Sequence, residues 1–314
     1  MSVVYGRFAF RVLSSFPFRN SFLRRRGLTH LLYFTSGAAP ADSAKPTARA
    51  ATLSPGNNSL SPTPFSPNLS VSSVESLTAH QKDQISLYVR TLLQWNEKMN
   101  LTAVTEESEV MTRHVEDSLA ILPPLQRSYL SHCAKSTSLE GLNVVDVGSG
   151  AGLPGMILAI ACPSNPFFPR WKFTLLESMK KRCYFLEHIV TLIGLSNVQI
   201  LCERAESVGQ CADFRELFDV AVARAVAEMR ILAEYCLPLV RVGGLFVAAK
   251  GADPQEEVKR AENSIQLLGA SILELCTVES HSPKGQRTSV ICVKDRATPR
   301  KYPRQAGTPA KLPL

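Results

Sequence analysis

The chain reads as an α/β protein built on a mostly parallel, seven-stranded sheet with a helical N-terminal extension, and three observations carry that reading. First, Asn143-Val144-Val145-Asp146-Val147 is a short apolar strand that runs into Gly148-Ser149-Gly150-Ala151-Gly152, after which Pro154 suits the first turn of a helix. Second, Trp171-Lys172-Phe173-Thr174-Leu175-Leu176 is another apolar strand, and it ends in an acid, Glu177. Third, strands and helical patterns keep alternating beyond it, as a parallel sheet with crossover helices requires.

Taken in order, Thr78-Ala79-His80-Gln81 is a capping-box pattern, opening a helix with Ile85, Tyr88, Val89, Leu92 and Leu93 on one face. A second helix over 106–122 carries its acids in the first turn, where the helix dipole favours them. Residues 162–170 contain three prolines and read as a lengthened loop between the first two strands. Ser178 is placed to cap a helix with Met179, Cys183, Leu186, Ile189, Val190 and Ile193 on its apolar face, and Gly194 stops it. Strands are expected at 198–202, 218–223, 245–249, 271–278 and 288–293, and helices at 225–240 and 254–268.

Charge divides the chain into three parts. The net +8 over 314 residues conceals a mildly acidic body between two basic ends. Residues 1–72 hold eight Lys or Arg and one acid, Asp42. Arg7, Arg11, Arg19 and Arg24 to Arg26 are interleaved with Phe and Leu, and a Ser/Pro/Ala-rich stretch follows. This composition fits an organellar transit peptide with a linker, the alternative being a disordered interaction tail. Arginine density favours mitochondria and the long Ser/Pro-rich extension favours plastids, with the plastid slightly ahead. Residues 73–295 form the catalytic domain. Residues 296–314, with four prolines, five basic residues and no acid, read as a basic tail that cannot fold alone and suits phosphate contacts. No apolar run reaches the roughly 18 residues of a membrane span. The eight cysteines form no Cys-x-x-Cys, and with the six histidines they give no zinc spacing, so no metal is expected.

The glycine spacing bears on the ligand. A dinucleotide fingerprint needs Gly-x-Gly-x-x-Gly, but counting from Gly148 puts Leu153 at the third glycine. Asp-x-Gly-x-Gly-x-Gly instead resembles the S-adenosylmethionine loop of Rossmann-like, class I methyltransferases. Glu177 would then accept ribose hydroxyls, as the acid at the tip of a second strand does about 20 residues beyond such a turn. The alternative makes it a first-turn anion of the following helix.

Several further blocks occur in order: Trp95-Asn96-x-x-Met99-Asn100-Leu101-Thr102-Ala103, Arg113-His114-x-x-Asp117-Ser118, Asp146 to Gly155, Lys180-Lys181-Arg182-x-x-Phe185-Leu186 and Ala223-Arg224-Ala225. With Thr298-Pro299-Arg300-Lys301-Tyr302-Pro303-Arg304 they resemble the bacterial small-subunit rRNA guanine-N7 methyltransferases, the glucose-inhibited division protein B family. The likeness covers roughly 76–314 and departs at the loop before Arg170 and at an expanded region, 128–142. It implies methylation of N7 of one guanine near the decoding site of 16S-type rRNA, by an organellar copy of a bacterial enzyme acting as a monomer.

The residues are consistent with that chemistry on independent grounds. Exocyclic-amine methylation uses Asp/Asn-Pro-Pro-aromatic after the fourth strand, where this chain has Ala223-Arg224-Ala225-Val226. Carbon-5 cytosine methylation needs a cysteine nucleophile, usually in Pro-Cys or Thr-Cys, and neither dipeptide ends a strand here. Guanine N7 has an in-plane lone pair and no proton, so no dedicated base is required.

From the family pattern, Gly148, Gly150 and Leu153 would line the cofactor at the glycine turn. Ala205 and Glu206 would sit by its adenine, unless Glu206 is a solvated loop acid. Arg224 would meet the cofactor's carboxylate or the target base. Arg113, His114 and Lys250 are candidates for RNA contact near the reaction, and Arg300, Lys301 and Arg304 in the tail. Lys180 to Arg182 oppose their helix dipole, as a phosphate partner or a solvated charge run would explain. Two rivals remain on the sequence alone: a nicotinamide-dependent oxidoreductase and a non-enzymatic RNA-binding factor.

Overall fold

The computed structural model describes residues 74–133, 139, 141–162, 171–278, 280 and 286–314. Residues 1–72, expected from the sequence to be a transit segment and linker, most of the loop 162–170 and part of 128–142 lie outside the described residues.

The capping box opens α1 (Ala79–Met99): Gln81 N donates to Thr78 Oγ1 at 3.3 Å, and Thr78 N donates to Gln81 Oε1 at 2.9 Å. The helix expected over 106–122 is broken. It comprises α2 (Glu107–Val110), a π-helical turn over Met111–Glu116, and α3 (Asp117–Leu119). Hydroxyls compete with the helical ladder here, Thr112 donating to Ser108 O at 2.8 Å and Ser118 to His114 O at 2.5 Å. Pro123 and Pro124, tolerated only in a first turn, then begin α4 (Leu122–His132).

The sheet contains β1 (Asn143–Val147), β2 (Lys172–Leu176), β3 (Val198–Leu201), β4 (Phe218–Arg224), β5 (Val240–Lys250), β6 (Ala270–Val278) and β7 (Arg287–Lys294). Their spatial order is β3-β2-β1-β4-β5-β7-β6, and β7 alone runs antiparallel to its neighbours β5 and β6. Between them run α5 (Gly155–Ala161), α6 (Lys180–Leu192), α7 (Ala205–Gln210), α8 (Met229–Cys236) and α9 (Gln255–Leu267), and α10 (Thr308–Lys311) closes the chain. Period-two alternation splits the core. Val144, Val220, Val222, Val247 and Ile291 pack with α1 and α4 to α6, while Val145, Ala221, Ala223, Phe246 and Val290 pack with α8 and α9. Strand order reverses between β1 and β4, so a crevice is expected beyond their C-terminal ends.

Three boundaries depart from the sequence reading. Ser178 does not cap α6; Met179 stands at the N-cap without a side-chain cap, its N donating to Glu177 Oε1 at 2.7 Å. The helix expected over 225–240 spans only Met229–Cys236. Ala225 takes a left-handed φ of 54° that a helix cannot contain, and Pro238 bars continuation. β5 therefore starts at Val240, five residues early, with Gly243 at φ +79° beside a register shift.

The C-terminal segment is a docked strap rather than a free tail. Tyr302 is buried in the core beneath α8 and α9. Arg215 donates to Tyr302 O at 2.8 Å and to Thr298 O at 2.7 Å. Glu234, wholly buried, accepts from Arg304 N at 2.8 Å and Arg304 NH2 at 2.6 Å, and Ser264 Oγ donates to Leu314 O at 2.9 Å. A segment with no core of its own is held by satisfying its backbone groups on the body.

Candidate functional site

The glycine turn is held from below. Gly148 N and Ser149 N donate to Leu176 O at 2.8 and 3.1 Å, and Tyr88 Oη donates to Ala151 O at 2.9 Å. Gly148 and Gly150 take φ of +73° and +59°. A Cβ at Gly148 would lie 2.7 Å from Val226 Cγ2, whereas one at Gly150 would meet only Gly148 O at 3.9 Å and otherwise open space. Gly155 serves packing instead: its Cβ would lie 2.5 Å from Leu175 Cδ2.

A cleft of about 360 Å³ opens over this turn, lined also by Leu153, Glu177, Met179, Thr102, His114 and Arg224. The buried Glu177 carboxylate lines it, with Oε2 accepting from Gly150 N at 2.9 Å and ion-paired with Arg182 NH1 at 3.7 Å. Behind the turn, Asp146 Oδ2 accepts from Gly155 N at 3.0 Å while its buried Oδ1 has no protein partner. Burial raises the Asp146 pKa to about 7, despite the Gly155 hydrogen bond.

A second cleft, about 310 Å³, shares His114, Arg224 and Ala225 with the first and adds Arg113, Asp117, Lys250, Arg287 and Ser289. Arg224, at the tip of β4, is the hinge between them. Its NH1 donates to Arg113 O at 3.3 Å and its NH2 faces His114 Nδ1 at 3.3 Å, and among the described residues no carboxylate forms an ion pair with it. Burial pushes its pKa down. His114 Nε2 lies 2.7 Å from Thr102 Oγ1. Burial, then the charge of Arg224, lowers the His114 pKa to about 4, so the ring is neutral near pH 7. The π-helical turn is what swings Arg113 and His114 to this junction, a frequent setting for such turns.

The structure thus brings together Gly148, Gly150, Leu153, Glu177 and Arg224 in the first cleft, and Arg113, His114, Arg224 and Lys250 in the second. Lys250 is already engaged, by Glu257 at 2.6 Å and Ala227 O at 2.9 Å. Ala205 and Glu206 line neither cleft. The buried Glu206 carboxylate is turned to the strap, accepting from Gly307 N at 2.8 Å, so it is neither a solvated acid nor placed to read a ligand in the first cleft. Arg304 is taken up by Glu234, while Arg300 and Lys301 are exposed on the strap, away from both clefts. Sequence reasoning missed Tyr88, Thr102, Asp117, Asp146, Arg287 and Ser289. Thr102, Asp117 and Asp146 stand inside recognisable blocks, whereas nothing local marked the two β7 residues.

Among the described residues no group of three or more His, Cys, Asp or Glu could hold a metal ion, and no helix is long and apolar enough to cross a membrane. Residues 81–287 match the family described as GidB, rRNA small subunit methyltransferase G. The protein named ribosomal RNA small subunit methyltransferase G in Brevibacillus brevis is 43% identical over 241 residues, covering 76% of this chain and 93% of the relative. Its namesakes in Alkaliphilus metalliredigens and Bacillus cytotoxicus are 42% and 40% identical, over 75% and 76% of this chain and 91% and 93% of theirs. With the glycine turn, the acid-tipped second strand and the Arg224 junction all falling inside the matched span, the chain belongs to the rRNA small subunit methyltransferase G family.

Proposed function

We propose that this protein transfers a methyl group from S-adenosylmethionine to N7 of a guanine in small-subunit rRNA. The observation that carries the reading is the junction of two clefts at Arg224 and His114, one over a bare glycine turn with a buried acid and the other ringed by basic side chains. The residues present fit the cofactor. Gly150 leaves open space where a side chain would stand, Glu177 is placed for ribose hydroxyls, and Arg224 is a half-buried cation that no carboxylate ion-pairs among the described residues. A partly buried charge left unpaired carries a desolvation cost, which binding a carboxylate offsets. When bound, S-adenosylmethionine supplies an electrophilic methyl on a sulfonium.

The chain's own part is alignment. N7 has a free lone pair and no proton to lose, so positioning donor and acceptor about 3–3.5 Å apart supplies most of what is needed. A neutral His114 adds no second cation beside Arg224. No cysteine lines either cleft, which fits a mechanism without a covalent intermediate. The small subunit as the source of the RNA is supported by the relatives' names. Labelled cofactor, purified protein and small-subunit rRNA should yield 7-methylguanosine at one position, and 7-deazaguanosine there should abolish incorporation. Incorporation that survives the substitution refutes N7 as acceptor.

Residues 1–72 are proposed to be an organellar transit segment, plastid ahead of mitochondrion, on the strength of six arginines and no acid before Asp42 within the first 26 residues and of the Ser/Pro-rich stretch. A fluorescent protein carrying these residues should enter one organelle; a wholly cytosolic signal would contradict the proposal.

A further inference from the structure

The part of the second cleft not shared with the first includes Asp117 of α3 and Arg287 and Ser289 of β7, alongside Arg113, Ile121 and Lys250. Asp117 is buried; its Oδ2 accepts from Arg287 Nε at 2.8 Å and its Oδ1 from Ser280 Oγ at 2.6 Å. A carboxylate has about four acceptor directions, so these two bonds leave capacity on both oxygens. Ser289 stands two residues beyond Arg287 and so on the same face of β7. It is 1% exposed, and its hydroxyl finds no protein partner. A buried hydroxyl in a cleft wall is costly unless something that enters the cleft meets it.

Resting on the guanine-N7 reading, we infer that Asp117 and Ser289 receive the N1–H and N2 amino edge of the target guanine. The argument is one of opposed ends. N7 must face the wall shared with the first cleft, where the methyl donor would lie, and the N2 amino group is at the far end of the same bicyclic ring. Beside the cations Arg113 and Lys250, Asp117 and Ser289 offer acceptors within the unshared wall, a carboxylate and a hydroxyl, where guanine presents donors. Adenine presents a bare N1 and a C–H there, so its N7 is rejected by acceptor facing acceptor.

The same wall assists the reaction. The N7 lone pair forms the new N–CH3 bond as the C–S bond breaks, its electron pair passing to sulfur. The sulfonium becomes a neutral thioether, the purine becomes a cation, and no proton leaves. Positive charge therefore grows on a ring whose N1–H and N2 amino group both face the Asp117 carboxylate, strengthening those hydrogen bonds in the transition state. Arg287 fixes the carboxylate in place and neutralises part of its negative charge.

The test uses the full chain and three rRNAs identical except at the methylated position: guanosine, inosine (no N2 amino group) and 7-deazaguanosine. Wild type should prefer guanosine to inosine in kcat/KM by about tenfold to a hundredfold. Asp117→Asn, which keeps an acceptor for Arg287 but replaces the other by an amide donor, should bring that ratio near one. Ser289→Ala, a smaller change, should reduce it severalfold. A merely structural Asp117 would lower both rates together and keep the ratio. The inference is overturned if wild type does not separate guanosine from inosine, or if both variants keep its discrimination. A wild type inactive on guanosine, or active on 7-deazaguanosine, refutes the guanine-N7 reading and this inference with it.

Discussion

Gly150 separates ligand space from protein packing. Its φ of +59° costs an L-residue roughly 1–2 kcal/mol, because Cβ crowds the following carbonyl. There is no clash to add, since a Cβ would meet only Gly148 O, at 3.9 Å. At about 2–4 °C per kcal/mol for a domain of this size, Gly150→Ala should lower Tm by about 2–8 °C. The added atom would stand in the open cleft, however, so Gly150→Val should weaken S-adenosylmethionine binding by more than about a hundredfold, ~2.8 kcal/mol. Gly155→Ala is the counterpart: its Cβ would press Leu175 Cδ2 at 2.5 Å and Asp146 Cβ at 2.7 Å, so stability should suffer most. Titration calorimetry with the cofactor and thermal denaturation of the three variants read the two effects apart. Binding by Gly150→Val within twofold of wild type would falsify the assignment of the turn, and a larger Tm loss in Gly150→Ala than in Gly155→Ala would refute the packing argument.

Three other perturbations follow from the buried charges. Arg224→Met should keep or slightly raise thermal stability, because it removes a half-buried cation that no carboxylate ion-pairs among the described residues. It should also depress cofactor affinity, and calorimetry showing unchanged affinity would remove Arg224 from the site. Truncation after Asp295 should abolish cooperative unfolding in a circular-dichroism melt, since it strips Tyr302 from the core and leaves Glu234 buried without Arg304, a loss of about 3–5 kcal/mol for the pair alone. An intact melt with a reduced salt dependence of RNA binding would restore the free-tail reading. Two groups give opposite pH slopes. His114, lowered from 6.5 to about 4, leaves the unfolded chain binding more protons, so its contribution is lost as pH falls from about 6.5 to 4. Asp146, raised from 3.8 to about 7, makes the folded chain bind more protons, so its contribution is lost as pH rises from about 4 to 7. Denaturant titrations at several pH values should show His114→Asn and Asp146→Asn changing the slope in opposite directions; equal slopes in all three proteins would contradict both shifts.

The sequence by itself determined the layers, the strands and the glycine turn. Those features rest on local rules: period-two apolar alternation, a capping box at Thr78, glycines where φ is positive, and an acid ending a strand. Even there, boundaries moved where a single backbone angle overrode the pattern, as at Ala225 and Pro238. Only the tertiary structure decided which charges are free. The sequence reading held Arg304 and Lys250 available for RNA and, from the family pattern, Glu206 available for a ligand. Each is met by a partner 70, 7 and 101 residues away in the chain, respectively Glu234, Glu257 and Gly307 N. Arg224 looked like any strand-end arginine and proved to be a half-buried cation that no carboxylate ion-pairs among the described residues. Ser289 lay unmarked in an apolar strand, yet the fold turns its hydroxyl into a cleft wall without a partner. A charge or hydroxyl becomes functional through what it fails to meet. That depends on long-range packing, which local sequence does not encode.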